Sequence, residues 1–150
     1  MIIIRDLGKE DLISLKVLLD DLNNAIKFNH EINEKDLNSV YVNIDKYPEI
    51  YSNYVAIEND KIVGFLSIVF YKTFLHKGGT ALINELIVAE THRNKGIGKK
   101  LIQKAIESAK SRGMDEIEVG TEITYTKAQN FYKKTGFNEE YVLLGREFEK

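Results

Sequence analysis

Gly96 and Gly98 stand where a predicted strand gives way to a predicted helix, and basic side chains surround them. The first N–H groups of a helix have no partner within the helix, and the helix dipole adds positive potential there. Arg93, Lys95 and Lys99 add further positive charge around the turn. The segment therefore predicts a site for a phosphate or diphosphate group. The alternative is a plain glycine turn with solvated lysines, because a lone Gly-x-Gly is a weak signal.

Two common phosphate-binding loops do not fit this turn. A dinucleotide-binding fingerprint needs a third glycine three residues after Gly98, where the chain has Leu101. A Walker loop needs glycine five residues before the Gly98-Lys99 pair and serine or threonine after it, and the chain has Arg93 and Lys100 there. A diphosphate at this turn is therefore held by a different kind of loop.

Glu85 lies inside an apolar run from Ala81 to Val88 that has the composition of a buried strand. Because an unpaired buried charge is costly, a carboxyl group here indicates a base, a substrate contact, or an ion pair with a basic side chain. The chain has no cysteine, which excludes a thiolate nucleophile. The three histidines lack the spacing of metal ligands, so we expect no metal site.

The elements that position these groups follow from the periodicity of apolar residues. Leucines at 12, 15, 19 and 22 predict a first helix, and an apolar stripe over 97–109 predicts a later one. Further helices are predicted over about 36–44 and 126–134, and strands over 2–4, 54–58, 61–70, 80–88, 115–120 and 141–148. This order predicts one α/β domain over 1–150, with a mixed sheet and helices on both faces.

Composition sets limits on the class of protein. The 150 residues are 43% apolar and 29% charged, with a formal net charge of -2, as in a soluble globular domain. A nucleic-acid partner is disfavoured because such proteins need a basic face. No apolar stretch approaches the about 18 residues that a membrane span needs, and the N-terminus lacks the features of a signal peptide. We therefore expect a cytoplasmic protein without a membrane partner.

Two motifs resemble those of the GNAT superfamily of acetyl-CoA-dependent N-acetyltransferases. The family's cofactor motif, Arg/Gln-x-x-Gly-x-Gly/Ala, is similar to the segment Arg93 to Gly98. Its second motif, Ala-x-x-Phe-Tyr followed by Gly-Phe, is similar to Ala128 to Tyr132 and Gly136-Phe137, at the usual separation. The first strand and the Ile62-Val63-Gly64 strand also match, so the resemblance covers essentially the whole chain.

The resemblance implies a single domain with a central, mostly antiparallel mixed sheet that is splayed between strands 4 and 5. It implies that acetyl-CoA binds as the acyl donor, with its diphosphate on the turn and its pantetheine arm along the edge of strand 4. A β-bulge in that strand would open the edge. The residues expected to contact acetyl-CoA are Leu86, Ile87, Val88, Arg93, Asn94, Lys95, Gly96, Ile97, Gly98, Lys99, Tyr125 and Ala128. Tyr125 departs from the family pattern, which often has a cofactor-contacting asparagine there.

The resemblance also assigns chemical roles. Glu85 is the candidate base for the attacking amine, acting directly or through water, and the Val88 amide would stabilise negative charge on the thioester oxygen. Tyr132 matches the family tyrosine that protonates the departing thiolate. The alternative for Tyr132 is core packing on an amphipathic helix.

The acceptor is predicted to be a primary amine on a small molecule, with a polyamine or an aminoglycoside as examples. The rival functions are acetylation of a protein N-terminus or lysine, and a catalytically idle acetyl-CoA-binding module. The resemblance also allows a homodimer. The side chains expected near the acceptor are the aromatic residues Phe28, Tyr41, Tyr47, Tyr51, Tyr71, Phe74 and Tyr141 and the acidic residues Glu31, Glu34, Glu122, Glu139 and Glu140.

Overall fold

A computed structural model describes residues 1–27 and 30–149 and contains a five-stranded sheet in the order β1-β2-β3-β4-β5. Neighbouring strands are antiparallel through β4, and β5 runs parallel to β4. The mixed, mostly antiparallel sheet expected from the sequence is thereby confirmed. The strands are β1 (Ile3–Asp6), β2 (Tyr51–Glu58), β3 (Lys61–Tyr71), β4 (Thr80–Val88) and β5 (Glu116–Val119).

The predicted helices are confirmed, with shifted ends where the sequence signal was weak. They are α1 (Leu12–Ile26), α2 (Glu34–Asp45), α3 (Ile97–Ser111) and α4 (Thr126–Lys134), and 3-10 turns cover Lys9–Asp11 and Glu90–His92. The helix α2 begins two residues before the predicted start because the side chain of Asn33 accepts a hydrogen bond from the Asp36 amide and caps it. In the described part of the chain, no helix has both the length and the apolar character needed to span a bilayer.

Each face of the sheet has its own apolar core. On one face, Leu66 and Ile68 of β3 pack with Leu101 and Ala105 of α3. On the other face, Phe65 packs with leucines of α1, and α2 covers the outer part of this cluster. The alternation of side chains along β3 therefore places α1 and α2 on one face and α3 on the opposite face.

A bulge interrupts β4 at Asn84. Ser67 of β3 pairs with Glu85, and the next residue, Ile68, pairs with Ile83, so that Asn84 is an extra residue on β4. Upstream of the bulge, Ile83 packs on the α3 face, and downstream of it Ile87 packs on the α1 face. One inserted residue thus reverses the face of the sheet to which the odd-numbered side chains of β4 point.

The sheet opens at the same point. Parallel pairing between β4 and β5 starts at Thr80 with Glu116 and ends at Ile83 with Val119. The remainder of β4, from Glu85 to Val88, pairs with β3 but has no strand on its other side within the described residues. The expected splay between the fourth and fifth strands is therefore present, and it begins at the bulge.

The predicted strand over 141–148 is wrong. Residues 138–149 form neither helix nor strand, and Leu143 and Leu144 are 84% and 88% exposed. An apolar run becomes a strand only where a neighbouring backbone can pair with it. This segment forms no ladder with β5, which is only four residues long.

Candidate functional site

The uncovered edge of β4 offers backbone groups rather than side chains to a ligand. The side chain of Ile87 is buried in the α1-side core, whereas Leu86 and Val88 pack against the α3-side core. These three residues, predicted to contact acetyl-CoA, therefore meet anything at this edge mainly through their N–H and C=O groups. An extended chain that carries amide groups, as pantetheine does, suits such an edge.

The turn before α3 has the backbone conformation that an anion site requires. Asn94 and Gly96 have φ angles of 61° and 78°, in the left-handed region. No side chain caps the N-terminus of α3, so the first amides of this 15-residue helix are unpaired within it. Ile97 is 1% exposed and contributes only its amide, whereas Lys95 and Lys99 are exposed beside the turn. The predicted phosphate-binding residues are thus brought together.

The two glycines have different structural roles. A Cβ at Gly96 would meet no atom within 4 Å, so its positive φ is what requires glycine there. A Cβ at Gly98 would lie 3.1 Å from Cζ of Phe131, so glycine there allows α3 to pack closely against α4. A diphosphate could therefore approach the backbone closely at Gly96, whereas the space beside Gly98 is occupied by Phe131.

Arg93 connects the turn before α3 to the end of β4 by a hydrogen bond. Its Nε donates a hydrogen bond of 3.1 Å to the carbonyl of Val88, the last residue of β4. Part of the arginine side chain is thereby committed to holding the turn against the strand. The guanidinium still adds positive charge at the point where the strand edge and the N-terminus of α3 meet.

Glu85 is a largely buried carboxyl group without an ionic partner. Ser67 donates a hydrogen bond to its Oε2, and the Glu85 amide donates one of 3.2 Å back to Ser67 Oγ. None of the ion pairs within residues 1–27 and 30–149 includes Glu85. Burial raises the pKa of this carboxyl group because the charged form loses solvation. The arrangement suits a proton acceptor better than an ion pair with a basic side chain.

Tyr132 is held by aromatic contacts on α4. Its ring makes edge contacts with Phe131 and Phe137, at centroid distances of 5.3 and 5.7 Å. Burial raises the pKa of Tyr132 to about 12, so its hydroxyl keeps its proton at neutral pH. Tyr132 packs against the α3-side core and Glu85 lines a cavity on the α1 side, so the two groups lie on opposite faces of the sheet. Within the described residues no strand covers the edge of β4 from Glu85 to Val88, and this gap is called the slot.

Tyr125 makes a contact that the sequence does not reveal. Its hydroxyl donates a hydrogen bond of 2.9 Å to the carbonyl of Ala25, one of the last carbonyls of α1. Because α1 and α4 pack on opposite faces of the sheet, this bond joins the two faces beside the slot. The departure from the family's asparagine was a signal that this position differs, but nothing in the sequence indicated the end of α1 as its partner. Ala128, also predicted to contact acetyl-CoA, is half-buried one turn further along α4.

A cavity of about 170 Å³ lies between α1, α2 and the sheet, with Glu85 in its wall. Sequence reasoning found Glu85, Tyr41 and Tyr51 among its lining residues but missed the aliphatic residues that make up half of the lining. The periodicity that marked these leucines as core residues was the available signal. The lining residues are Leu7, Leu15, Leu19, Leu37, Val40, Tyr41, Ile44, Tyr51, Asn53, Phe65, Ser67, Ile68, Asn84 and Glu85.

The other residues expected near the acceptor do not line this cavity. Tyr47, Phe74 and Tyr141 are exposed, and the hydroxyl of Tyr71 donates a hydrogen bond of 3.3 Å to Glu118. Phe28 lies outside the described residues. The five acidic candidates are all exposed: Glu31, Glu34, Glu122, Glu139 and Glu140.

Similarity to known proteins extends over most of the chain. The model of the Acetyltransferase (GNAT) family matches residues 16–137. The chain is 32% identical over 112 residues to N-alpha-acetyltransferase 30 of Schizosaccharomyces pombe, an alignment that covers 69% of this chain and 71% of the yeast protein. It is 38% identical over 93 residues, or 61% of its length, to an uncharacterized N-acetyltransferase of Methanocaldococcus jannaschii, and covers 41% of that longer protein.

Solved structures with the same fold cover nearly the whole chain. A transcriptional regulator from Bacillus halodurans C-125 superposes with a TM-score of 0.86 at 26% identity, covering 99% of this chain and 100% of that one. AAC(6')-Iy in complex with a bisubstrate analog, CoA-S-monomethyl-acetylneamine, superposes with a TM-score of 0.81 at 18% identity and 99% coverage of both chains. The second likeness concerns the fold alone.

Proposed function

Since the chain belongs to the Acetyltransferase (GNAT) family of acetyl-CoA-dependent acyltransferases, we propose that it moves an acetyl group from acetyl-CoA to a primary amine bound next to Glu85. The observation that carries this proposal is the position of Glu85. A largely buried carboxyl group, which forms no ion pair within the described residues, lies at the bulge where the edge of β4 becomes uncovered. A base next to a backbone edge is what direct transfer from a thioester to an amine requires.

The residues that would hold acetyl-CoA fit its chemistry. The unpaired amides at the start of α3 and the side chains of Lys95 and Lys99 suit its diphosphate. The free side of β4 at 86–88 suits the amide groups of its pantetheine arm. Tyr125 and Ala128 would border the slot from the other side. Acetyl-CoA supplies an acyl group activated as a thioester.

Glu85 is proposed to take the proton that the amine must lose. A neutral amine attacks the thioester carbon, the C–N bond forms as the C–S bond breaks, and the proton passes to the Glu85 carboxylate directly or through water. The hydrogen bond from Ser67 fixes the position of this carboxylate. Its raised pKa brings the carboxyl group closer to the range in which a base both accepts and releases protons near neutral pH.

Tyr132 is proposed to supply a proton to the departing thiolate. Its hydroxyl is protonated across the working pH range, and no hydrogen bond of that hydroxyl is found in the described ranges of the chain. The Val88 amide is proposed to stabilise the negative charge that develops on the thioester oxygen. Together, Glu85, Tyr132 and the Val88 amide account for each proton and charge of the transfer, and each is proposed to border the slot.

Two acceptor classes have support. The solved structure with a coenzyme A–aminoglycoside analog has the same fold and is compatible with a small polyamine or aminoglycoside acceptor. The similarity to N-alpha-acetyltransferase 30 favours the α-amino group of a peptide or protein. An idle binding module is disfavoured, because Glu85 is buried at a cost that cofactor binding alone does not require.

Two measurements test the proposed function. Coenzyme A should raise the melting temperature of the purified protein, because a ligand that binds only the folded state stabilises it. Release of free thiol from acetyl-CoA should depend on an added primary amine and should fall strongly in Glu85→Gln. Glu107→Gln, a substitution on the exposed side of α3, is the matched control and should leave both readouts unchanged. Thiol release that is independent of every amine would contradict the proposal.

A further inference from the structure

We propose that the cavity between α1, α2 and the sheet binds the first residue of a peptide, and that it selects an N-terminal amine whose own side chain is apolar. This inference rests on the proposed function and names its acceptor class. The cavity is continuous with the bulge of β4, since both Asn84 and Glu85 line it. An amine placed against Glu85 would therefore carry its nearest substituent into the same space.

The side chains that line the cavity determine which substituent of the amine it can accommodate. The walls contributed by α1 and α2 are aliphatic or aromatic, with Leu15, Leu19, Leu37 and Val40 among them. The polar lining residues come from the sheet: Asn53, Ser67, Asn84 and Glu85. A cavity of about 150 Å³ lined by such side chains accommodates a group as large as benzene. The volume here, about 170 Å³, matches one leucyl or phenylalanyl side chain.

The charge of the cavity matches one ammonium group rather than several. Among the described residues that line it, Glu85 is the only acidic one. A polycation such as an aminoglycoside would bring further charges into an apolar space, where an unpaired charge is costly. The acidic residues expected near the acceptor are exposed elsewhere and leave the cavity with this single carboxyl group.

A second cavity gives the rest of a peptide somewhere to lie. It has a volume of about 270 Å³ and shares Leu7, Tyr41, Ile44, Tyr51 and Asn53 with the first, so the two cavities adjoin. The side chain of Asn53 offers hydrogen-bonding groups for peptide amides, whereas the hydroxyl of Ser52 accepts a hydrogen bond of 3.0 Å from Arg112. Asp6 and Asp45 also line this part but are exposed, and exposed carboxylates bind a cation weakly.

The first test compares acceptors in the thiol-release assay with the full chain. Peptides that differ only in their first residue, Leu, Phe, Ala or Ser, are measured beside phenethylamine, spermidine and an aminoglycoside. Each additional buried CH₂ gives about a fourfold gain, so kcat/KM for the Leu peptide should exceed that for the Ala peptide by about 60-fold. Phenethylamine should react less well than the Phe peptide because it lacks the amide groups that the second cavity would bind.

The outcomes separate this inference from the proposed function. Turnover that favours spermidine or the aminoglycoside over the Leu peptide would overturn the inference and leave the proposed function intact. The same holds if phenethylamine equals the Phe peptide, or if the first side chain has no effect. Absence of turnover with every amine would overturn both.

The second test fills the cavity. Val40, which is 51% exposed, lines it from α2, whereas Val42 of the same helix, which is 41% exposed, is not part of the lining. Val40→Trp should lower kcat/KM for the Leu peptide at least about tenfold more than for the Ala peptide, mainly through KM. The matched variant Val42→Trp should behave as wild type, and the stabilisation by coenzyme A should persist in both. An equal loss with the two peptides would overturn the assignment.

Discussion

Replacing Gly98 by alanine would add a methyl group 3.1 Å from Cζ of Phe131 and 3.8 Å from Cγ2 of Val88. The first distance is shorter than the optimal separation of about 3.5–4.0 Å between carbon atoms, so α4 must yield slightly. Overpacking of this kind costs about 1–3 kcal/mol, and the better helix propensity of alanine returns at most about 1 kcal/mol. We expect a net loss of about 0–3 kcal/mol in the free energy of unfolding.

The same substitution should affect catalysis through α4. Phe131 is adjacent to Tyr132, and their ring centroids are 5.3 Å apart, so a displaced Phe131 moves the proposed proton donor. We therefore expect a lower kcat with little change in the KM for acetyl-CoA. Gly96→Ala is the comparison variant, because its methyl group meets no atom but its φ of 78° is strained for alanine, at about 1–2 kcal/mol. It should instead weaken acetyl-CoA binding, because the methyl group would occupy open space beside the turn where the diphosphate is proposed to bind.

A double-mutant cycle provides the assay. Urea unfolding is measured for wild type, Gly98→Ala, Phe131→Leu and the double variant, together with kcat and KM. Leucine at position 131 removes the ring atoms that the new methyl group would meet. The double variant should therefore lose less stability than the two single variants lose together, by about 0.5 kcal/mol or more. Additivity within about 0.3–0.5 kcal/mol would refute the packing argument, as would a raised KM for acetyl-CoA in Gly98→Ala with an unchanged kcat.

Three further predictions concern single side chains. Burial raises the pKa of Glu85, so its charged form is disfavoured in the folded state. At a pH above the ordinary pKa of a carboxyl group, Glu85→Gln should therefore unfold at a higher temperature than wild type. This difference in melting temperature should disappear in acid, where Glu85 is protonated. The same variant should need a higher pH for activity, and an unchanged pH–rate profile would count against Glu85 as the base. Tyr132→Phe should lose about 10²–10⁴-fold in kcat while still being stabilised by coenzyme A, and wild type should show no alkaline loss from Tyr132 well below its pKa of about 12. Tyr125→Phe should lower the free energy of unfolding by about 0.5–1.5 kcal/mol through its lost bond to Ala25, and equal urea midpoints for the two proteins would show that this bond contributes nothing.

The parts of the fold that local patterns specify were predictable from the sequence. The helical spacing of leucines predicted α1, and the apolar stripe over 97–109 predicted α3. Each of these depends on interactions between residues close in sequence. The segment over 141–148 has a strand-like composition, but whether it pairs depends on a distant edge that composition does not describe.

The candidate site likewise contains features that the sequence predicts and features that it does not. Gly96 and its basic neighbours form one continuous segment, so their proximity followed from sequence order. The contact between Tyr125 and Ala25, and the cavity wall shared by Val40 and Glu85, join residues far apart in the chain. Individual side chains could be identified as unusual, but their partners required the packing of α1 and α2 against the sheet.

The extra residue in β4 has a consequence for how this sheet can vary. Deleting Asn84 would leave Glu85 on the α1 face, because Ile83 and Glu85 would then be consecutive and alternate regularly. The kink would disappear, and β4 would run straight alongside its parallel neighbour. Replacing the side chain at position 84 does not shorten the strand. The gap between β4 and β5 therefore depends on the number of residues in β4 rather than on the chemistry of their side chains. Insertions and deletions, more than point mutations, are the sequence changes that would close the slot while leaving the carboxyl group in place.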